Sequence, residues 1–135
     1  MKGFDVQGIE LEVAVDEAFA VIADPARLPE WTEAFASVGD GRALLRTPQG
    51  EVAIGLTVEA AAEPGTVDWR LEFPDGSVAT AFSRVVALGP GRSLYSFVLT
   101  PPPVPLEELE GALEAQSRTL AGELVRLKEI LERDE

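Results

Sequence analysis

The stretch Pro105–Arg133, PLEELEGALEAQSRTLAGELVRLKEILER, decides how the rest of the chain reads. Leu106, Leu109, Leu113, Gln116, Leu120, Leu124, Leu127 and Leu131 recur at steps of three or four, which places them along one side of a helix. Glu107, Glu108, Glu114, Arg118, Glu129 and Arg133 fall on the opposite side. Pro105 suits the first turn, where a missing N–H costs no hydrogen bond. A helix of this kind has one apolar stripe, and the stripe needs an apolar partner.

The partner lies upstream. Pro48-Gln49-Gly50, Pro64-Gly65, Asp75-Gly76 and Pro90-Gly91 punctuate strands near Val38–Thr47, Glu51–Glu59, Thr66–Phe73, Ser77–Leu88 and Ser93–Leu99. Phe4–Val15 reads as a further strand, with Ile9, Leu11, Val13 and Val15 alternating with Glu10 and Glu12. Asp16 is the expected N-cap of a short helix ending near Ala23. Asp24-Pro25 opens a second, broken helix over Ala26–Ala36. The order is one strand, two short helices, five strands and a long helix. It predicts a single α+β domain spanning residues 1–135, with about six antiparallel strands packed on the last helix. The space between helix and sheet is the expected ligand cavity.

Composition narrows the chemistry. The 135 residues include no cysteine and no histidine, which leaves no thiolate nucleophile, no usual zinc site and no histidine-based triad. A net charge of −13 repels phosphate backbones, so nucleic acid is not an expected partner. No apolar run is long enough to span a membrane, and the N-terminal stretch alternates with acids, so the expectation is a cytoplasmic protein. No carboxylate pair stands out for catalysis, no glycine-rich loop indicates a nucleotide, and no cofactor or metal is expected.

Treating Asp75-Gly76 as a two-residue turn pairs Trp69 with Phe82, Leu71 with Thr80 and Phe73 with Val78. The opposite face, with Ala81 and Ser83, is then the solvent side. A two-residue Pro90-Gly91 turn pairs Val86 with Tyr95 and Arg84 with Phe97, unless a bulge intervenes. In this register Arg84 shares a face with Trp69, Phe82 and Phe97. A guanidinium there needs a carboxylate, carbonyls or an anionic ligand, so Arg84 reads as a ligand anchor, as half of a structural ion pair, or, through a register slip, as an exposed residue. Trp31, Phe35, Trp69, Phe82, Tyr95, Phe97 and Leu113 read either as cavity wall or as plain core. Gln116, the polar member of the helix stripe, faces the sheet and is expected to meet a ligand, a buried water or the protein itself. Thr80 and Tyr95 are secondary polar contacts. No residue is assigned a catalytic role.

The segment ELEVAVDEAFAVIADPARLPEW resembles the opening of START-like, SRPBCC (polyketide cyclase/dehydrase and lipid transport) proteins, through Asp24, Pro25, Pro29 and Trp31. The ending EGALEAQSRTLAGELVRLKEILE resembles their C-terminal helix. The resemblance implies a helix-grip fold, a curved antiparallel sheet wrapped around the long helix. It implies binding of a small hydrophobic or amphipathic ligand. A polyketide cyclase or dehydratase, and a protein-interaction module with a filled cavity, are the alternatives. An exposed sheet edge leaves a homodimer open.

Overall fold

The computed structural model describes residues 4–47, 50–100 and 106–133, and for 47 and 106–116 the backbone alone. Strand β1 (Asp5–Leu11) leads into helix α1 (Val15–Ile22), a 3-10 turn (Pro25–Arg27) and the one-turn helix α2 (Leu28–Trp31). Strands β2 (Phe35–Gly39), β3 (Arg42–Thr47), β4 (Gly50–Ala61), β5 (Thr66–Glu72), β6 (Val78–Gly89) and β7 (Arg92–Leu99) follow, and helix α3 (Leu106–Arg133) ends the fold. The seven strands form one antiparallel sheet in the order β1-β7-β6-β5-β4-β3-β2. Six consecutive strands thus form a meander, and β1 closes on its last member. The two short helices carry the chain from one sheet edge to the other.

The seventh strand comes from a turn that the sequence reading passed over. Asp40 and Gly41 both have positive φ, 55° and 75°. That is the backbone of a tight hairpin turn, and it divides the expected Val38–Thr47 strand into β2 and β3. The second short helix also ends earlier than expected. Asp24 accepts a hydrogen bond from the Ala26 N–H at 3.0 Å and caps the 3-10 turn, but extended Thr32 ends α2 and Phe35 already pairs in β2. Asp16 lies inside the first turn of α1 and Ala14 is the N-cap, so Asp16 acts on the helix through charge, not as a cap.

Two hairpins depart from the expected register. Between β5 and β6 the loop holds three residues, Pro74-Asp75-Gly76. The Gly76 N–H donates to the Phe73 carbonyl and the Phe73 N–H to the Ser77 carbonyl, both at 2.9 Å, with Gly76 at φ 89°. This is the bulged hairpin, in which a turn is followed by a left-handed glycine. Trp69 therefore faces Ala81, Leu71 faces Ala79 and Asp68 faces Phe82. Between β6 and β7 the two-residue Pro90-Gly91 loop is present, with Gly89 opposite Arg92, but a bulge between Ala87 and Gly89 puts Val85 opposite Tyr95. Each offset is one residue, and a one-residue offset turns a strand over. The two cancel across β6, so Trp69, Tyr95 and Phe97 still share the inner face while β6 alone is reversed.

The inner face carries Ala43, Ile54, Leu56, Val67, Trp69, Val85, Tyr95 and Phe97, all buried. Leu120, Leu124, Leu127 and Leu131 of α3, with Leu28 and Trp31 of α2 and Ala18, Val21 and Ile22 of α1, complete one continuous core. Full burial of each leucine contributes about 1.5–3 kcal/mol relative to exposure. Polar contacts set the path of α3 along β1. Gln7 Nε2 donates to the Ser117 carbonyl at 2.9 Å, and Ser117 Oγ donates to Asp5 Oδ2 at 2.7 Å. Further along, Lys128 Nζ donates to the Glu10 carbonyl at 3.0 Å and the Glu12 N–H to Glu132 Oε2 at 3.1 Å.

Candidate functional site

The alternation of β5 and β7 and the position of Trp31 at the end of α2 bring four aromatic side chains together in the core that the α3 leucines share. Trp31 lies 6.4 Å from Trp69 and 6.3 Å from Tyr95 between ring centroids, the latter edge to face at 85°. Trp69 stacks on Phe97 at 5.8 Å with 26° between planes, and Phe97 meets the edge of Tyr95 at 6.3 Å. Edge-to-face and offset arrangements of this kind add about 0.5–1.5 kcal/mol per pair beyond area burial. Phe35 is half-buried against the same core.

Among the described residues, three polar atoms of this cluster find no hydrogen-bond partner: Trp31 Nε1, Trp69 Nε1 and the Tyr95 hydroxyl. Their residues are 2 %, 3 % and 0 % exposed. A buried donor without an acceptor costs about 1–3 kcal/mol. Burial pushes the Tyr95 phenol well above its ordinary value. The Ser83 hydroxyl, diagonal to it on the inner face, opposes that shift, and the Glu123 charge adds to it. Ser83 Oγ donates its own proton to the Val67 carbonyl at 2.6 Å and makes no hydrogen bond of ordinary geometry to the phenol.

Glu123 is the charged group that α3 contributes. Its Oε2 accepts from the Glu33 N–H at 2.6 Å and the Ala34 N–H at 3.3 Å, tying α3 to the segment that follows Trp31. Arg126 Nε donates to the Glu30 carbonyl beside it. Burial raises the Glu123 carboxyl above the usual carboxylate value, and the two N–H donors only partly offset this.

Thr80, Phe82 and Arg84 lie elsewhere. The three-residue loop turns them to the outer face of β6, where Phe82 is 45 % exposed. Arg84 donates from Nε to the Pro64 carbonyl at 2.8 Å and borders an open cleft of about 520 Å³ with Asp16, Phe19 and Pro64. The reading of Arg84 as an interior ligand anchor therefore fails, and the one-residue register shift that exposes it is the alternative that holds. Ala81 and Ser83, expected at the solvent side, take the inner positions, and Ser83 is buried. The side chains of Leu113 and Gln116 lie outside the described residues. Sequence reasoning missed Ser83 and Glu123. The signals were the Pro-Asp-Gly order of the loop and the spacing of Glu123, seven residues after Gln116 and four before Leu127. Among the described residues no cluster of acidic side chains is arranged to hold a metal ion, and no helix is long and apolar enough to cross a membrane.

No family model matches the chain, and no curated protein matches it. Solved structures do. A START superfamily protein from Mycobacterium smegmatis is 15% identical with a TM-score of 0.71, over 98% of this chain and 99% of that one. The Zhui aromatase/cyclase of a Streptomyces species is 11% identical with a TM-score of 0.68, over 96% and 93% of the two chains. The di-domain ARO/CYC protein BexL is 16% identical with a TM-score of 0.71, over 98% of this chain and 47% of that longer one. End-to-end superposition, an antiparallel sheet of seven strands, short helices after the first strand and a long C-terminal helix together give this chain the START-like (SRPBCC) helix-grip fold.

Proposed function

We propose that the protein binds an apolar or amphipathic small molecule between α3 and the inner face of the sheet, at the cluster of Trp31, Phe35, Trp69, Tyr95 and Phe97. One observation supports this reading above the rest: three neighbouring aromatic side chains hold buried polar atoms with no partner among the described residues. A packed core gains nothing from such groups, whereas a ligand with acceptors satisfies them on binding. The similar structures, a START superfamily protein and aromatase/cyclases, agree with an interior that receives small molecules. Affinity would come mostly from apolar burial, at about 25 cal/mol per Å² before ordering costs.

Both tryptophans of the chain belong to the cluster, so intrinsic fluorescence reports on this site alone. The test is titration of the protein with a panel of flat and aliphatic apolar compounds, beside native mass spectrometry of protein purified without denaturation. Saturable quenching or a co-purifying mass supports the reading. A flat response to every compound, with only the bare chain mass, overturns it.

A cyclase-type reaction is the second reading. Glu123 and Tyr95 are interior groups able to hold a proton, and burial shifts both upward. Turnover of a polyketone analogue that is lost in both Glu123→Gln and Tyr95→Phe would support it. Unchanged turnover in the two variants would remove it.

A further inference from the structure

We propose that the open cleft between α1, the β4–β5 turn and β6 binds a small zwitterion: an ammonium and a carboxylate carried on an apolar body, as in an apolar amino acid or a short peptide. The cleft is separate from the aromatic cluster, and the inference does not rest on the binding reading above.

The cleft is built around a fixed turn. The chain leaves β4 at Ala61 and enters β5 at Thr66, and Gly65 joins the turn between them to β6. The Gly65 N–H donates to the Ala61 carbonyl at 3.0 Å, and the Gly65 carbonyl accepts from the Val85 N–H at 2.8 Å. A Cβ at Gly65 would lie 2.0 Å from the Val85 carbonyl oxygen, so the approach needs glycine. The turn is thereby held against β6, and a cleft of about 520 Å³ opens between it, β6 and the first turns of α1. That volume suits a small molecule.

Arg84 is steadied there by one bond, from its Nε to the Pro64 carbonyl at 2.8 Å. A guanidinium is a rigid fork of N–H donors, and those on its two terminal nitrogens meet no acceptor among the described residues. Asp16 of α1 and Glu63 of the turn line the same cleft. Among the described residues no ion pair joins either carboxylate to Arg84. Opposite charges that share a cleft without pairing are each able to take a ligand group.

These side chains set the charge pattern of the ligand. A simple anion gains Arg84 but meets two carboxylates and a chain of net charge −13. A simple cation leaves the guanidinium fork unused. A zwitterion answers both signs and adds no net charge. Val15 and Phe19 of α1 and Val86 of β6, all half-buried, supply an apolar wall for its body.

The probes are leucine, leucyl-leucine and two blocked dipeptides: N-acetyl-leucyl-leucine, which lacks the ammonium, and leucyl-leucine amide, which lacks the carboxylate. Each is titrated into isotope-labelled protein and followed by nuclear magnetic resonance. The dipeptide should saturably shift the amides of Val15, Phe19 and Val86 and the Arg84 Nε–H. Tryptophan fluorescence should stay unchanged, because both tryptophans lie in the separate cluster. Each blocked form should bind about threefold to tenfold more weakly, the range of one exposed charge-assisted contact. Arg84→Gln should erase the difference between the dipeptide and its amide and keep the difference from the N-acetyl form. Asp16→Asn combined with Glu63→Gln should do the reverse. All three positions are exposed, so the fold should tolerate these changes. Leucine binding as tightly as the dipeptide supports a free amino acid as the occupant, and tighter dipeptide binding supports a peptide. Equal affinity for the dipeptide and both blocked forms overturns the inference. So does binding of none of the probes, and either result leaves the interior reading untouched.

Discussion

Tyr95 is the one tyrosine of the chain, and that makes its burial measurable. In an unfolded chain a phenol ionises near pH ~10. In the folded protein, burial holds Tyr95 protonated well above that. The group's folded value is raised, so its contribution to stability is intact below the unfolded value and is lost as pH climbs beyond it. The loss is about 1.4 kcal/mol per pH unit, or roughly 3 kcal/mol at about pH 12. That is a large part of the ~5–15 kcal/mol that holds a typical domain together. Tyrosinate absorbance should therefore stay absent through the ordinary range of phenol titration and appear together with loss of circular dichroism. Tyr95→Phe removes an unpaired buried hydroxyl, so at neutral pH it should unfold at equal or higher urea, by about 1 kcal/mol. Above about pH 10 it should lose stability less steeply than the parent. Tyrosinate forming near the ordinary value in a still-native protein would refute the interior placement, as would equal alkaline slopes for the two proteins.

Three further outcomes follow from packing and charge. Leu127→Ala, at a fully buried position, should cost about 2–5 kcal/mol in urea unfolding, whereas Val125→Ala, at a site 50 % exposed, should change stability by less than about 0.5 kcal/mol. Gly65→Ala should be among the most destabilising glycine replacements, because a Cβ there would lie 2.0 Å from the Val85 carbonyl oxygen at a φ of +76°. Gly76→Ala has open space and should cost only about 1–2 kcal/mol for its left-handed backbone, and comparison of the two midpoints checks this. Glu123→Gln should be more stable than the parent at neutral pH. The parent's raised carboxyl stabilises the fold below the ordinary value of 4.5, and that gain is lost as pH rises through the folded value. Urea midpoints should converge as pH falls.

Most of the scaffold could be read before any coordinates. The leucine spacing of α3, the alternation in β1, β5 and β7 and the Asp24-Pro25 cap are local patterns, and local patterns survive translation into structure. Trp69, Tyr95 and Phe97 came to one face for the same reason. Phe82 and Arg84 did not, because the face of β6 depends on a loop length and a bulge, each a single-residue matter. Pro74-Asp75-Gly76 could have warned of the longer loop, since proline suits the second position of a turn and glycine its left-handed end. Nothing in the residues around Leu88 marks the bulge in the same way. Glu123 escaped because a stripe counted by apolar residues passes over an acid on its flank, even one whose carboxylate accepts two backbone N–H groups.

The paired offsets at either end of β6 have an evolutionary corollary. A deletion of one residue in the first loop, matched by loss of the bulge in the second, would roll this strand about its own axis and leave its neighbours in place. Phe82 and Arg84 would then exchange with Ala81, Ser83 and Val85 as lining. A lineage carrying this architecture can thus trade a small, neutral wall for a bulky, cationic one through length changes at two exposed corners, with no substitution on the inner face of the sheet.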